Sequence, residues 1–370
     1  MTNRTSFSNW VEVDLDAIRG NIHYFLEHTR VQVMAVVKAN AYGHGAKLVA
    51  KAALDAGATW CGVARVEEAL ELRQANIACP ILLLGYTPPD KYDEMIASQV
   101  SITVWNPAQV EIACTAAERT GKAAHLHLEV DSGMSRLGIQ AEEAAELGHW
   151  MAAKPGIFLE GVFTHFARAD EPDSVTTDLQ EQRFRMAIEA LDATGLRPGL
   201  VHAANSAAGF TRPSAYFNLV RAGIAMYGLH PSPLCPLPAD FRPALRWKTV
   251  LSQVKTLPPG CGVSYGHIYT TQADERIGTL PVGYADGMRR TSGNLALVGG
   301  RRVPVVGRVC MDQMMVQLND IPDANAGDEV VLIGNQGEEC LSAEELASNW
   351  GTINYEVTCG LAARVPRLYS

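Results

Sequence analysis

Little in this chain points to metal, membrane or nucleic acid. Its eight cysteines, Cys61, Cys79, Cys114, Cys235, Cys261, Cys310, Cys340 and Cys359, are scattered, and none forms a C-x-x-C pair. Metal and dithiol redox motifs are therefore unsupported, and the expected metal content is none. No uninterrupted apolar run approaches the roughly 20 residues that a membrane helix needs. The first ten residues contain no apolar core, which reads as the absence of a secretory signal and as a cytoplasmic protein with reduced thiols. Basic residues are the minority, 31 against 40 acidic, and the net charge of −9 argues against nucleic acid or an anionic membrane as partner. There is no internal repeat and no low-complexity linker. What is present is 47% hydrophobic residues in 370, the make-up of a soluble globular protein with room for a large barrel and a second domain.

Apolar runs and helical patterns alternate through the first two thirds of the chain. A short strand over residues 11–14 and an acid-capped amphipathic helix come first. Strand-like runs then begin at Val33, Trp60, Ile81, Ser101, Ala124, Leu159, Leu200 and Leu219. Most are followed by helical patterns, among them Arg65 to Gln74, Pro107 to Arg119 and about Ser174 to Ala193. Eight alternations in about 240 residues are the signature of a (β/α)8, TIM-type barrel. A doubly wound open sheet is the alternative, but no G-x-G-x-x-G follows the first of these strands. After Pro243 the pattern changes to short strands broken by Gly, Pro and Asn-Asp turns, with one capping-box helix near Ser342. The expected organisation is a barrel over 1–242 and a mainly β domain over 243–370, with the first short strand free to join the latter.

One stretch organises the barrel. Val33 to Val37 is a Val-rich apolar run that ends on Lys38, and a turn with two glycines, Gly43 and Gly45, follows. An ammonium group at the carboxyl end of a buried strand is costly, and desolvation there makes the amine a usable nucleophile or base. A lone lysine in that place reads more simply as a side chain reaching for solvent. Barrel chemistry, however, sits at the carboxyl ends of the strands. Lys38, Arg136, His165, Asn205, Ser206 and Arg221 all fall at or just beyond such ends.

The segments around these residues resemble one family. They are Ala35 to Gly45, Val130 to Gly138 (Val-Asp-Ser-Gly-Met-Ser-Arg-Leu-Gly), Phe163 to Ala167, Ala204 to Ser206, Val220 to Gly228, Val263 to His267 (Val-Ser-Tyr-Gly-His), Val282 to Gly287 and Arg308 to Asp312. In this order the chain resembles the alanine racemases, isomerases built from a barrel and a β domain. The resemblance implies pyridoxal 5'-phosphate held as a Schiff base on Lys38. It implies a two-base racemisation of alanine in which Lys38 and Tyr265 are the bases. His165 and Arg221 would stand behind the tyrosine, and Arg221 would face the pyridine nitrogen. Phosphate and cofactor contacts would come from Tyr42, Asn205, Ser206, Gly223, Ile224 and Tyr355. Arg136 would reach the cofactor's phenolic oxygen. Arg136, Met311 and Asp312 would bind substrate, with Tyr265, Met311 and Asp312 supplied across a homodimer. D-alanine for peptidoglycan, the material of the bacterial cell wall, is the implied product.

Three rivals share parts of this pattern: a serine or broad-specificity racemase, a non-enzymatic pyridoxal-phosphate carrier on a lone barrel, and a decarboxylase on the same barrel. The β domain with Tyr265 weighs against the carrier, and Arg221 against the decarboxylase. One residue departs from the family. Where many members carry a carbamylated lysine, this chain has Glu129. Strand parity puts His125, His127, Glu129 and Asp131 inside the barrel. The expectation is that the Glu129 carboxylate orients Arg136 directly; the bland alternative is a bond to another barrel residue, such as a histidine.

Overall fold

The structure, a computed structural model, describes residues 6–172 and 174–370. Among the described residues, eight parallel strands form a nearly closed barrel. Their order is Leu219–Ala222, Gln32–Val36, Trp60–Val63, Ile81–Leu83, Val100–Val104, Ala124–Asp131, Ile157–Phe163 and Leu200–His202. Two backbone bonds bring the ends together: Arg221 N donates to Ala204 O at 3.0 Å and Asn218 N to Val201 O at 3.3 Å. The strands are short and almost wholly buried, as parallel strands covered on both faces must be.

Outer helices follow most strands, and their starts are legible. Pro107–Thr120 begins where Asn106 accepts from Gln109 N, and Val175–Ala193 where Ser174 accepts from Thr177 N. The last strand breaks the alternation. It ends at Ala222, and a 3₁₀ turn, Ile224–Tyr227, follows in place of a long helix. The helix Leu15–Thr29 covers this region instead. Ile18, Ile22 and Phe25 recur on its buried face, Phe25 packs 4.9 Å from Phe210 and 5.8 Å from Phe241, and Asn21 Nδ2 donates to Met226 O and Arg242 O at 3.0 Å each.

The second compact unit takes in Pro243–Ser370 and the described residues up to Leu15. It is a mixed sheet in the order Gln253–Leu257, Glu275–Leu280, Met314–Gln317, Arg301–Val306, Leu295–Val298, Glu329–Gln336, Leu245–Val250, Asn9–Val13 and Arg367–Tyr369. The N-terminal strand pairs antiparallel with Leu245–Val250 and parallel with Arg367–Tyr369, so its ladder lies in this sheet and not in the barrel. Two helices, Ala343–Trp350 and Asn354–Cys359, precede the final strand. Among the described residues no helix is long and apolar enough to cross a membrane, and no cluster of three or more His, Cys, Asp or Glu is placed to hold a metal ion.

Candidate active site

Lys38 follows the strand Gln32–Val36 and is half-buried. The turn beyond it is unusual: Ala39, Asn40, Ala41 and Tyr42 all have φ between 51° and 53°, a left-handed helical turn without a single glycine. L-residues avoid that conformation by roughly 1–2 kcal/mol each. Local bonds hold it. Ala41 N donates to Val37 O, Gly45 N to Asn40 O, and the Asn40 side chain accepts from Ala46 N. One anchor comes from outside the turn: Glu68 Oε1 accepts from Ala39 N at 2.6 Å, while its Oε2 accepts from Ala64 N and Arg65 N. Strain of this kind persists only where the surroundings over-determine it. Sequence reading anticipated a turn with two glycines and missed Glu68, because nothing in the residue types at 39–42 signals left-handed backbone.

The Tyr42 side chain is buried beside Tyr227, ring centroids 4.9 Å apart. Ser206 and Gly223 complete a small cradle with it. A Cβ built on Gly223 would stand 3.1 Å from Tyr42 Oη and 3.4 Å from Ser206 Oγ, so only glycine leaves that space open. The short helix beyond Ser206 is capped by Asn205, whose Oδ1 accepts from Ala208 N at 3.0 Å. Ser206 Oγ instead accepts from Gly223 N at 2.9 Å and Ala225 N at 3.3 Å. With both lone pairs engaged, its own hydrogen is free to donate. Ile224 is buried next to this cradle in the chain.

Arg221, 4% exposed, lies at the end of the last strand. Nη1 donates to His202 Nδ1 at 2.8 Å and His202 O at 3.1 Å; Nη2 faces Thr164 O at 2.8 Å, Ala203 O at 2.9 Å and His165 Nδ1 at 3.2 Å. Nε is the guanidinium nitrogen with no hydrogen bond among the described residues. Burial pulls the group's pKa down to about 10, with Glu129 opposing and Arg136 adding to the fall, so the guanidinium stays charged. Because an arginine only donates, His165 Nδ1 must accept, and the neutral ring keeps its proton on Nε2. Burial, then Arg221, Arg136 and Lys38, hold His165 well below the usual histidine range. Lys38, Arg136, His165 and Arg221 are thus close enough to feel one another's charge.

Glu129 is buried inside the barrel, as strand parity requires, but the expected direct bond to Arg136 is absent among the described residues. Its Oε2 has no hydrogen-bond partner, and neither does it bond a histidine. Burial raises its carboxyl to about 7, although Arg136 and Arg221 pull it down. The coupling to Arg136, itself an exposed residue, runs through space and not through a hydrogen bond.

The β unit carries the other candidates. Tyr265 sits in a tight turn, Tyr265–His267, and is 67% exposed. With Ser264, Met311 and Asp312 it lines an open groove of about 1030 Å³. Asp312 is paired with Arg364 at 2.7 Å, and Met311 O accepts from Ala285 N. Tyr355 lies half-buried on the helix Asn354–Cys359, an element the sequence reading did not anticipate.

Known proteins share this fold and much of this sequence. Residues 13–231 match the family described as alanine racemase, N-terminal domain, and residues 244–369 the one described as alanine racemase, C-terminal domain. An alanine racemase of Symbiobacterium thermophilum is 47% identical over 363 residues, 97% of this chain and 96% of its own. Alanine racemase 1 of Bacillus subtilis is 45% identical over 97% of this chain and 92% of its own. Among solved structures, the alanine racemase of a D-cycloserine-producing Streptomyces lavendulae superposes with a TM-score of 0.94 at 40% identity, covering 98% of this chain and 97% of that one. That of Bacillus anthracis with bound L-Ala-P reaches 0.92 at 42% identity, covering 98% and 95%. Two family domains in sequence, identity near half over almost the full length and a common fold lead to one conclusion: the chain belongs to the alanine racemase family.

Proposed function

We propose that this protein interconverts L- and D-alanine with pyridoxal 5'-phosphate as cofactor. The observation that carries the reading is Arg221. A buried guanidinium whose four Nη hydrogens face acceptors, with Nε–H left over, suits a ring nitrogen that must be hydrogen-bonded without being protonated. The rest of the rim fits the group as well. Tyr42 and Ser206 offer hydroxyl donors around the space kept open at Gly223, in a form that suits a phosphate. Ile224 and Asn205 would be further cofactor contacts, and the family resemblance adds Tyr355 of the β unit. Lys38 would hold the group, and Arg136 would face its oxygen. Bound there, the cofactor would supply the electron sink for the charge left when an α-proton departs.

The chain's own residues would do the proton work. Racemisation removes the α-proton from one face of a planar carbon and returns one to the other, so it needs two groups on opposite sides. Lys38 would serve one face. Tyr265 of a second copy would serve the other, with Met311 and Asp312 beside it for the substrate carboxylate. The exposure of Tyr265 (67%) and Met311 (54%) supports this: a phenol and a thioether left open in one chain suit a homodimer with composite sites. His165, neutral and holding its proton on Nε2, has a donor to offer a phenolate. Arg221 donates without giving up its proton, which limits how far negative charge is drawn into the ring and favours return of the proton. The product would feed cell-wall peptidoglycan from the cytoplasm.

The test is direct. Purified protein with pyridoxal phosphate should convert L-alanine to D-alanine on chiral analysis, with a higher kcat/KM for alanine than for serine. A single added hydroxyl discriminates only about ten- to a hundredfold. No D-alanine, or a higher kcat/KM for serine, refutes the reading.

A further inference from the structure

The strand Ile157–Phe163 stops just short of His165. Thr164 is still tied in: its N–H donates to His202 O at 3.2 Å, and its carbonyl accepts from Arg221 Nη2 at 2.8 Å. Beyond it, the main chain of His165, Phe166 and Ala167 makes two hydrogen bonds among the described residues, and both go to one side chain. Gln180 Oε1 accepts from Ala167 N at 2.9 Å, and Gln180 Nε2 donates to His165 O at 3.2 Å. The segment that carries His165 is thus gripped at both ends by a single amide.

Gln180 comes from the helix Val175–Ala193 and is 1% exposed. It shares the buried face with Phe184, Ala187 and Leu191, where an amide without partners is costly. Its orientation follows from those partners. An N–H only donates and a carbonyl only accepts, so the amide oxygen faces Ala167 and the nitrogen faces His165. The second Nε2 hydrogen has a place as well. Thr164 Oγ1 donates to Val130 O at 2.8 Å, so in the 2.7 Å contact between Ser132 Oγ and Thr164 Oγ1 the serine is the donor. Ser132 Oγ is left to accept, and Gln180 Nε2 lies 3.4 Å from it. Ser132 and Thr164 are fully buried. Gly133 leaves room for the amide: its φ of 136° suits glycine, and a Cβ there would stand 3.3 Å from Gln180 Cγ.

Other contacts do not replace this grip. Phe166 is 2% exposed, and its burial holds the segment down without orienting the peptide planes. Arg221 Nη2 meets His165 Nδ1 at 3.2 Å, one atom of the ring and none of its main chain. With the main chain loose, the ring would pivot about that contact and carry Nε2 off its line. The two bonds from Gln180 remove that freedom.

We propose that Gln180 is a positioning residue for His165: by gripping the main chain at His165 and at Ala167, it aims the ring's Nε2–H. The grip needs no cofactor, whereas its effect on turnover rests on the racemase reading. Two measurements on the full protein test it, in the parent and in Gln180→Met, which keeps the side chain's length and removes both bonds. The first is amide hydrogen exchange without cofactor. Ala167 should exchange at least about tenfold faster in the variant, while Thr164, bonded to His202 O, stays within about twofold. The second is turnover of alanine carrying deuterium on the α-carbon. His165 stands behind Tyr265 and so serves one face only. The variant should lower kcat about tenfold. It should also raise the α-deuterium isotope effect on kcat/KM for one enantiomer and lower it for the other. A merely structural defect reduces the amount of active enzyme and moves neither isotope effect. Unchanged exchange at Ala167, or unchanged isotope effects in a folded variant, overturns the proposal. An Ala167 amide that exchanges in the parent as fast as an exposed loop amide overturns it even if Gln180→Met does not fold. Failure of the parent to racemise alanine leaves the exchange result as it is and strikes only the functional reading.

Discussion

Replacing Glu129 with glutamine is the sharpest probe of the barrel's electrostatics. The carboxyl is 4% exposed, one of its oxygens has no partner, and its folded pKa is raised from 4.5 to about 7. The unfolded chain ionises the same group near 4.5. Between those two pH values the folded state holds more protons than the unfolded state, so stability falls as pH rises and levels off above the folded pKa. At about 1.36 kcal/mol per pKa unit, ionising Glu129 costs the folded state about 3 kcal/mol near pH 8 and about 1 kcal/mol near pH 5. Arg136 and Arg221 already reduce that cost and do not cancel it. Glutamine has the same shape and no charge. Glu129→Gln should therefore be more stable than the parent by about 3 kcal/mol near pH 8, a gap that shrinks to about 1 kcal/mol near pH 5. Urea unfolding of the cofactor-free protein at both pH values measures it. The variant should also show a lower kcat with cofactor affinity largely kept, because Arg136 and Arg221 lose the anion between them. A stability difference that is the same at both pH values, or a less stable variant near pH 8, would refute the electrostatic account.

Three further outcomes are expected. Inactive Lys38→Ala and Tyr265→Ala chains, mixed and allowed to exchange, should recover part of the activity through heterodimers with one intact site, and no recovery after confirmed exchange excludes composite sites. Glu68→Gln leaves one oxygen where Ala39 N, Ala64 N and Arg65 N now share two, so stability should fall by about 1–2 kcal/mol, and pyridoxal-phosphate affinity, measured by titration, should weaken as the left-handed turn loosens. Gly161→Ala drives a methyl into His127 and should lower stability by about 1–3 kcal/mol in a thermal melt, whereas the same change at Gly121, where a Cβ would meet nothing within 4 Å, should cost less despite its positive φ.

Much of the fold was open to reading from the amino-acid pattern. Alternating apolar runs and amphipathic stretches implied eight parallel strands because burial on both faces leaves a continuous apolar signal. The change after Pro243 marked the β unit, and parity along Ala124–Asp131 put His127 and Glu129 inside. The expected rim residues Lys38, His165, Arg136 and Arg221 do gather, since strand ends of a barrel meet whatever their spacing in sequence. The pattern was silent on which helix covers the last strand. Leu15–Thr29 takes that place through Phe25, Phe210 and Phe241, residues brought together only by ring closure.

What the chain's sequence determined by itself was the alternation of elements, the identity of the polar groups at strand ends and the family they belong to, because these depend on local period and residue type. Tertiary structure alone decided what each polar group does. The left-handed turn at Ala39–Tyr42 depends on an anchor 29 residues away, Glu68. The choice of Asn205 over Ser206 as cap depends on Gly223, whose backbone N–H occupies the serine. Glu129 and Arg136 share no hydrogen bond among the described residues, and His127 meets His202 across 75 residues of chain. Hydrogen-bond direction, tautomer and the pKa of a buried group are properties of the partners that surround it, and those partners come from other strands.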